Sequence, residues 1–247
     1  MIKMADYQKQ IRIGSGNVDE GSHLTVTSAM EEFQDMVTEQ CNILGISGFA
    51  MKEKYNSFWV VTKSKVIIDR MPFWGERVNM CAFPSKPTSR FCNWNCIALD
   101  SDEEPLWHAK SEMCILDFEN QNITRMKSVW DTSDCEFKDG LDVSFERFKQ
   151  PEDGEKVYTH RIQYSDIDMS HHTNNVKYNT IALNAFTCSE ISSMKIREYE
   201  IDFVSQSHEG DDIEVFRKQN ENEWLVWGVA AQDSRLVFDV RMIVEYI

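Results

Sequence analysis

A chain of 247 residues with 42% hydrophobic residues can bury one large core or two small ones. Its formal charge of −15 argues against nucleic acid as a partner, because a nucleic-acid binder needs a basic face to neutralise phosphates. No apolar run approaches the roughly 18 residues of a membrane span, and the N-terminus is polar, so we expect a cytoplasmic protein without a membrane partner. Seven scattered cysteines favour a reducing compartment over a disulfide framework.

The first half of the chain predicts one strand, one long helix and then four strands. The helix follows from apolar residues at helical spacing between Thr27 and Leu44, and it should end at Gly45. The strands follow from β-branched and aromatic residues with period-2 stretches, which favour an antiparallel sheet. The predicted strands are Tyr7–Ile13, Phe58–Asp69, Arg77–Phe83, Arg90–Leu99 and Trp107–Asp117.

The second half repeats this order after a charged connector. We predict a helix from Asn175 to about Ser189 and strands at Val157–Tyr164, Lys195–Val204, Ile213–Lys218, Trp224–Ala231 and Val237–Ile247. The turn that begins at Gly75-Glu76 has a counterpart at Gly210-Asp211, so we infer an internal duplication. The predicted boundaries are residues 1–130 for the first domain, 131–156 for the connector and 157–247 for the second domain.

The loop before the second helix is the densest polar segment of the chain. It carries six residues whose side-chain oxygens favour helix N-caps, with His171 and His172 among them; the six are Asp166, Asp168, Ser170, Thr173, Asn174 and Asn175. One cap uses one such residue, so the surplus predicts a catalytic loop at a helix N-terminus. The two histidines with Asp166 and Asp168 also suggest a metal site. Adjacent side chains of an extended loop point apart, so we expect neither a metal nor another cofactor.

The segment Asp168-Met-Ser-His-His172-Thr-Asn-Asn-Val-Lys-Tyr178 resembles the catalytic signature of the fatty acyl–acyl-carrier-protein thioesterases. Members of that family carry Asp-x-Asn-x-His followed by a Val-Asn-Asn-Val-Lys-Tyr-like segment. Further similar landmarks are Met30-Glu-Glu-Phe-Gln34, Trp59-Val-Val61, Arg70-Met-Pro72 and Gly75-Glu76. The resemblance implies an α+β fold called the double hotdog, in which two tandem antiparallel sheets are each wrapped around a long central helix.

The same resemblance implies hydrolysis of the thioester of fatty acyl-acyl-carrier protein, which releases free fatty acid during fatty acid biosynthesis. Acyl-carrier protein is then the partner, and a homodimer is possible. Two alternatives stay open. In the first, the chain is an acyl-CoA thioesterase. In the second, it is a non-catalytic hotdog protein that binds an acyl chain or the carrier of that chain.

The resemblance also predicts the catalytic residues, Asp168, His172, Ser170 and Gln206. Asp168 is the expected base or nucleophile, and His172 orients water or donates a hydrogen bond to the thioester. Ser170 stands where the family has asparagine, and Gln206 stands where bacterial members have glutamate. Ser207 occupies the position of a cysteine in plant members. Helix N–H groups near Asn174 and Asn175 are the expected oxyanion donors, and Asp19 with His23, at the same spacing in the first half, is expected to be a structural remnant.

Overall fold

The computed structural model describes residues 3, 4, 6–133 and 135–247. Contacts between Cα atoms divide the chain into two compact units. The first runs to Ser144 but leaves out Lys65–Ile68, and the second consists of Lys65–Ile68 and Phe145–Ile247. The domain boundaries predicted from the sequence stay a prediction. No helix in the described residues is long and apolar enough to cross a membrane.

The first unit is built on helix α1 (Val26–Leu44). The helix begins there because the Thr25 side chain accepts a hydrogen bond from the Ser28 N–H, and it ends at Gly45, whose φ of 75° is left-handed. Its buried face carries the apolar residues that helical spacing predicted, among them Met30, Phe33 and Met36. A second helix, α2 (Gly48–Tyr55), was not predicted, because Met51 is its only buried residue and it has no apolar stripe.

Five strands form the sheet of the first unit: β2 (Tyr7–Arg12), β3 (Ser57–Ile68), β4 (Arg77–Pro84), β5 (Phe91–Leu99) and β6 (Pro105–Asp117). The last four residues of β3, Lys65–Ile68, belong to the second unit. The strand order is β2-β4-β5-β6-β3, and β2–β4, β4–β5 and β5–β6 pair antiparallel. The four predicted strands that follow the helix lie within one or two residues of the observed bounds. A separate pair of short parallel strands joins β1 (Lys3–Met4) to β7 (Cys135–Glu136).

The second unit repeats this plan with strands β8 (Glu155–Arg161), β9 (Met194–Phe203), β10 (Asp212–Asn220), β11 (Glu223–Ala230) and β12 (Leu236–Tyr246). The strand order is β9-β12-β11-β10-β8, and all four neighbouring pairs are antiparallel. Helix α3 (Asn175–Leu183) packs on this sheet, where the Tyr178 ring contacts the rings of Phe203 and Phe238. The α+β class predicted from the sequence agrees with both units.

The predicted helix from Asn175 to about Ser189 is wrong in its second part. Helix α3 ends at Leu183, and a separate short helix, α4 (Cys188–Ser192), begins after Thr187. Thr187 and Glu190 form a capping box that starts α4. The Arg217 guanidinium, on strand β10, donates to the Ala185 carbonyl and to the Glu190 carboxylate. It thus gives the carbonyl between the two helices a hydrogen-bond donor and balances the charge of Glu190.

Candidate active site

The polar loop between β8 and α3 is closed by its own backbone. The Asp168 N–H donates to the His172 carbonyl at 3.0 Å, and the His171 N–H donates to the Asp168 carbonyl at 3.0 Å. His171 has a left-handed φ of 64°, which lets the chain reverse within this turn. An isolated bridge between Ile167 and Thr173 flanks the turn. This geometry fixes the positions from which Asp168, Ser170 and His172 project.

Three of the predicted catalytic residues form one chain of hydrogen bonds. Oδ1 of Asp168 accepts from the Ser170 N–H at 2.8 Å and lies 2.5 Å from the Ser170 hydroxyl. The same hydroxyl oxygen lies 3.2 Å from Nδ1 of His172. The Ser170 hydroxyl therefore connects the carboxylate of Asp168 to the imidazole of His172.

The environment of His172 favours its neutral form. Burial lowers the pKa of the imidazole, and the neighbouring His208 and His171 lower it further, whereas Asp168 opposes the shift. The rings of His172 and His208 are 5.0 Å apart and inclined at 63°. A neutral imidazole can accept a proton, which is the property that a general base needs.

Asp166, two residues before Asp168, is bound to the fold. Its Oδ2 accepts from the Gln163 N–H at 3.0 Å and lies 2.9 Å from Nε2 of His160, and its side chain is largely buried. Its carbonyl accepts from the Asn174 N–H at 2.8 Å. Asp166 therefore holds the two ends of the loop together, which leaves Asp168 as the carboxylate on the turn.

The start of α3 supplies a hydrogen-bond donor beside the loop. Asn174 is the N-cap, and its side-chain oxygen accepts from the Val176 N–H at 2.9 Å. The Asn175 N–H forms no hydrogen bond with the residues that the structure describes. A free N–H at a helix N-terminus, with the positive end of the helix dipole, can bind a developing negative charge.

Ser207 is the buried centre of a hydrogen-bond network. Its Oγ lies 2.8 Å from the Tyr178 hydroxyl and 2.8 Å from Oγ1 of Thr173, and its carbonyl accepts from the Thr173 N–H at 3.0 Å. Ser207 is fully buried. It ties the end of the loop and helix α3 to the segment after β9, so it holds the fold in place and does not face a substrate.

Gln206 is not joined to the other predicted catalytic residues by a hydrogen bond. Its side chain is exposed and forms no hydrogen bond within the described parts of the chain, while its carbonyl accepts from the Arg235 guanidinium. Residues 206 and 208 are exposed on either side of buried Ser207. The ring contact to His172 comes from His208, a residue that the sequence reasoning missed.

The corresponding loop of the first unit has the same backbone with different chemistry. The Asp19 N–H donates to the His23 carbonyl at 2.8 Å, and Ser22 has a φ of 65°. Asp19 and His23 thus match Asp168 and His172. Gly21 stands where the second loop has Ser170, and Val26 stands where it has Asn175. The first loop therefore lacks the hydroxyl that bridges carboxylate and imidazole.

The second loop also contains the two histidines and two aspartates that suggested a metal site. Among the described residues, no group of three or more His, Cys, Asp and Glu side chains has the geometry to hold a metal ion. A small polar cavity of about 190 Å³ lies in the first unit, and it contains none of the predicted catalytic residues. It is lined by Tyr7, Lys9, Asp35, Met36, Thr38 and Glu39.

Two family models match the chain. Residues 4–130 match the acyl-ACP thioesterase N-terminal domain, and residues 149–238 match the acyl-ACP thioesterase C-terminal domain. The chain is also 22% identical over 222 residues to a chloroplastic dodecanoyl-[acyl-carrier-protein] hydrolase of Cinnamomum camphora. That alignment covers 81% of this chain but only 58% of the plant protein, so the chain spans little more than half the length of this relative.

Solved structures show the same fold. An acyl-ACP thioesterase from Bacteroides thetaiotaomicron superposes with a TM-score of 0.89 at 20% identity, over 98% of both chains. A 12:0-ACP thioesterase from Umbellularia californica superposes with a TM-score of 0.87 at 14% identity, again over 98% of both chains. The double hotdog predicted from the sequence is confirmed.

Proposed function

Because the chain belongs to the acyl-ACP thioesterase family, we propose that it hydrolyses the thioester of fatty acyl-acyl-carrier protein and releases free fatty acid. The observation that carries the proposal is the hydrogen-bonded chain of Asp168, Ser170 and His172 beside the N-terminus of α3. A base next to a free N–H donor is what thioester hydrolysis requires, since water must lose a proton while the carbonyl oxygen gains charge.

The hydrogen bonds that link Asp168, Ser170 and His172 determine which group donates and which accepts. An ionised carboxylate only accepts, so the Ser170 hydroxyl donates to Asp168. The Ser170 oxygen is then free to accept from Nδ1–H of His172. A neutral imidazole with its proton on Nδ1 has its lone pair on Nε2. We therefore assign Nε2 of His172 as the base and Asp168 as the group that orients it and stabilises its positive charge.

The reaction then proceeds as follows. Nε2 of His172 takes a proton from water as the water oxygen attacks the thioester carbonyl, and the Asn175 N–H binds the oxyanion. When the tetrahedral intermediate collapses, the C–S bond breaks, the electron pair leaves with sulfur, and the thiolate takes up a proton while His172 releases to solvent the proton that it took from water. The products are a fatty acid and the free thiol of the carrier. No cofactor takes part in these steps.

Single-turnover hydrolysis tests the function. Purified protein is mixed in excess with acyl-carrier-protein thioesters of graded chain length and with the matching acyl-CoA thioesters. We expect cleavage well above the uncatalysed background, faster on the carrier protein than on coenzyme A. Equal or faster cleavage of acyl-CoA would favour a coenzyme A thioesterase. Binding of the acyl chain without cleavage would favour a non-catalytic carrier or acyl-chain binder.

Ser170→Ala tests the assigned direction of the hydrogen bonds. Without the hydroxyl, Asp168 no longer fixes the proton on Nδ1 of His172, so we expect kcat to fall by roughly ten- to a hundredfold. Ser170→Thr keeps the hydroxyl and is the matched control, which should retain most of the activity. Single-turnover rates on the best substrate measure both. An unchanged rate for Ser170→Ala would contradict the role of Ser170.

The cysteines support a cytoplasmic location for this activity. No disulfide joins any of them in the part of the chain that the structure describes, and four of the seven are buried: Cys41, Cys92, Cys96 and Cys114. Burial raises the pKa of the Cys41 thiol to about 12, which keeps it protonated and unreactive. Acyl-carrier protein is the proposed macromolecular partner, and the possible homodimer stays a prediction.

A further inference from the structure

His208 contributes a second imidazole to the site, and neither the motif nor the resemblance assigned it a role. It follows buried Ser207 in the segment between β9 and β10 and is exposed. Its ring lies 5.0 Å from the ring of His172, centroid to centroid. The ring nitrogens of His208 form no hydrogen bond with the described residues. Its backbone is engaged by Asp211: the His208 N–H donates to Oδ2 of Asp211 at 3.0 Å, and the His208 carbonyl accepts from the Asp211 N–H at 3.1 Å. Both nitrogens are thus available to a substrate.

The first unit shows what packing alone requires at this position. Phe73 is the counterpart of His208, since the Phe73 N–H donates to Glu76 at 2.9 Å as the His208 N–H donates to Asp211. The Phe73 ring packs on His23 with centroids 4.2 Å apart. In the first unit, whose loop has no Asp–Ser–His hydrogen bonds, a phenyl ring therefore fills this position. In the second unit, whose loop has the Asp–Ser–His hydrogen bonds, the ring at this position is the imidazole of His208, which can bind and release a proton.

Two imidazoles at this distance titrate as a coupled pair. A positive charge on His208 opposes protonation of His172. Burial also lowers the pKa of His172, which favours its neutral, proton-accepting form. The other charged or titratable groups around the pair are Asp168, His171, Asp211 and Arg235. Arg235 neutralises Asp211 through an ion pair of 3.3 Å.

We propose that His208 is a further catalytic residue, the general acid that protonates the leaving thiolate. This inference rests on the proposed thioesterase activity. In the first step, Nε2 of His172 takes the proton from water and the new C–O bond forms. In the second, the C–S bond breaks, and the sulfur takes the proton from protonated His208. At that point His172 holds the proton taken from water and His208 lacks the proton given to sulfur, so net proton transfer through solvent restores the starting pair.

His208→Phe is the decisive variant, because it installs the residue that the first unit uses at this position. It keeps an aromatic ring against His172 and removes the acid. We expect kcat on the acyl-carrier-protein substrate to fall about a hundredfold. On an aryl thioester of the same acyl chain, whose thiolate leaves without a proton, the loss should be below about tenfold. Phe73→Ala, which alters the counterpart of His208 in the first unit, should leave both rates unchanged.

The pH profile separates an acid from a merely packed ring. The parent rate should rise as His172 loses its proton and fall at higher pH as His208 loses its own. In His208→Phe the alkaline fall should disappear. The rise should move to higher pH, because the charge that lowers the pKa of His172 is gone. A parent-like profile and rate for His208→Phe, or equal losses on both thioesters, would overturn the proposal.

An NMR titration of the imidazoles keeps this test independent of turnover. In the parent, the signals of His172 and His208 should each report two coupled steps, and in His208→Phe the His172 signal should report a single step at higher pH. Independent titration of the two rings would overturn the proposal. Coupled titration in a parent that cleaves no thioester would instead mean that the proposed function fails.

Discussion

Asp168→Asn should reduce the single-turnover rate by about 10²- to 10⁴-fold while leaving the fold intact. A carboxamide carries no charge to stabilise protonated His172. It also offers both a donor and an acceptor to the Ser170 hydroxyl, so the proton on Nδ1 of His172 is no longer fixed. The turn itself should survive, since its closing hydrogen bonds join backbone atoms of Asp168, His171 and His172.

Two asparagine variants are controls for Asp168→Asn. Asp19→Asn makes the same change in a loop of the same backbone geometry and should leave the rate unchanged. Asp166→Asn removes the charge of the buried carboxylate that binds His160. It should nevertheless lower the rate less than Asp168→Asn, because Asp166 holds the loop and is not bonded to Ser170 or His172. Equal rates for Asp168→Asn and the parent on the best thioester would exclude Asp168 from the chemistry.

Lys65→Met should lower the free energy of unfolding by about 3 to 5 kcal/mol, the usual cost of removing one partner of a buried ion pair. Nζ of Lys65 lies 3.3 Å from Glu200 and 3.0 Å from Glu198, and only 1% of the Glu200 side chain is exposed. Glu200 also accepts the Glu146 N–H at 2.7 Å, so it holds the connector on the second sheet. Without Lys65, the buried charge of Glu200 loses the cation that forms an ion pair with it.

The loss should depend on pH. Burial raises the pKa of Glu200, and Lys65 opposes that rise. Removing Lys65 therefore raises the folded-state pKa further, so the folded variant gains a proton more readily than the unfolded chain. Its stability should improve as the pH falls through that pKa, and the loss should be smaller at pH 5 than at pH 8.

Urea denaturation at the two pH values measures the effect, and two further variants serve as controls. Glu200→Gln in the Lys65→Met background removes the buried charge and should restore most of the stability. Lys195→Met, at an exposed position on β9, should change the free energy of unfolding by less than about 0.5 kcal/mol. A loss from Lys65→Met that is the same at both pH values would contradict the assignment of the effect to Glu200.

The sequence by itself determined the elements whose signals are local. The apolar spacing of α1 and the cap residues Thr25 and Gly45 are written in consecutive residues, and the structure places the helix within one residue of the prediction. Period-2 patterns located the strands of both sheets for the same reason. The polar segment from Asp168 to Tyr178 identified the family and the fold, because motif residues and their spacing are also local.

Only the tertiary structure decided which polar side chains of the site work together. Asp166 and Asp168 look alike in sequence, but His160 on strand β8 engages one and leaves the other on the turn. Ser207 faces inward because Tyr178 and Thr173 meet it there, and His208 faces His172 as a result. The break after helix α3 is stabilised from a distant part of the chain, because Arg217 on strand β10 donates to the Ala185 carbonyl. Each outcome depends on partners far apart in the chain, whose proximity no local pattern encodes.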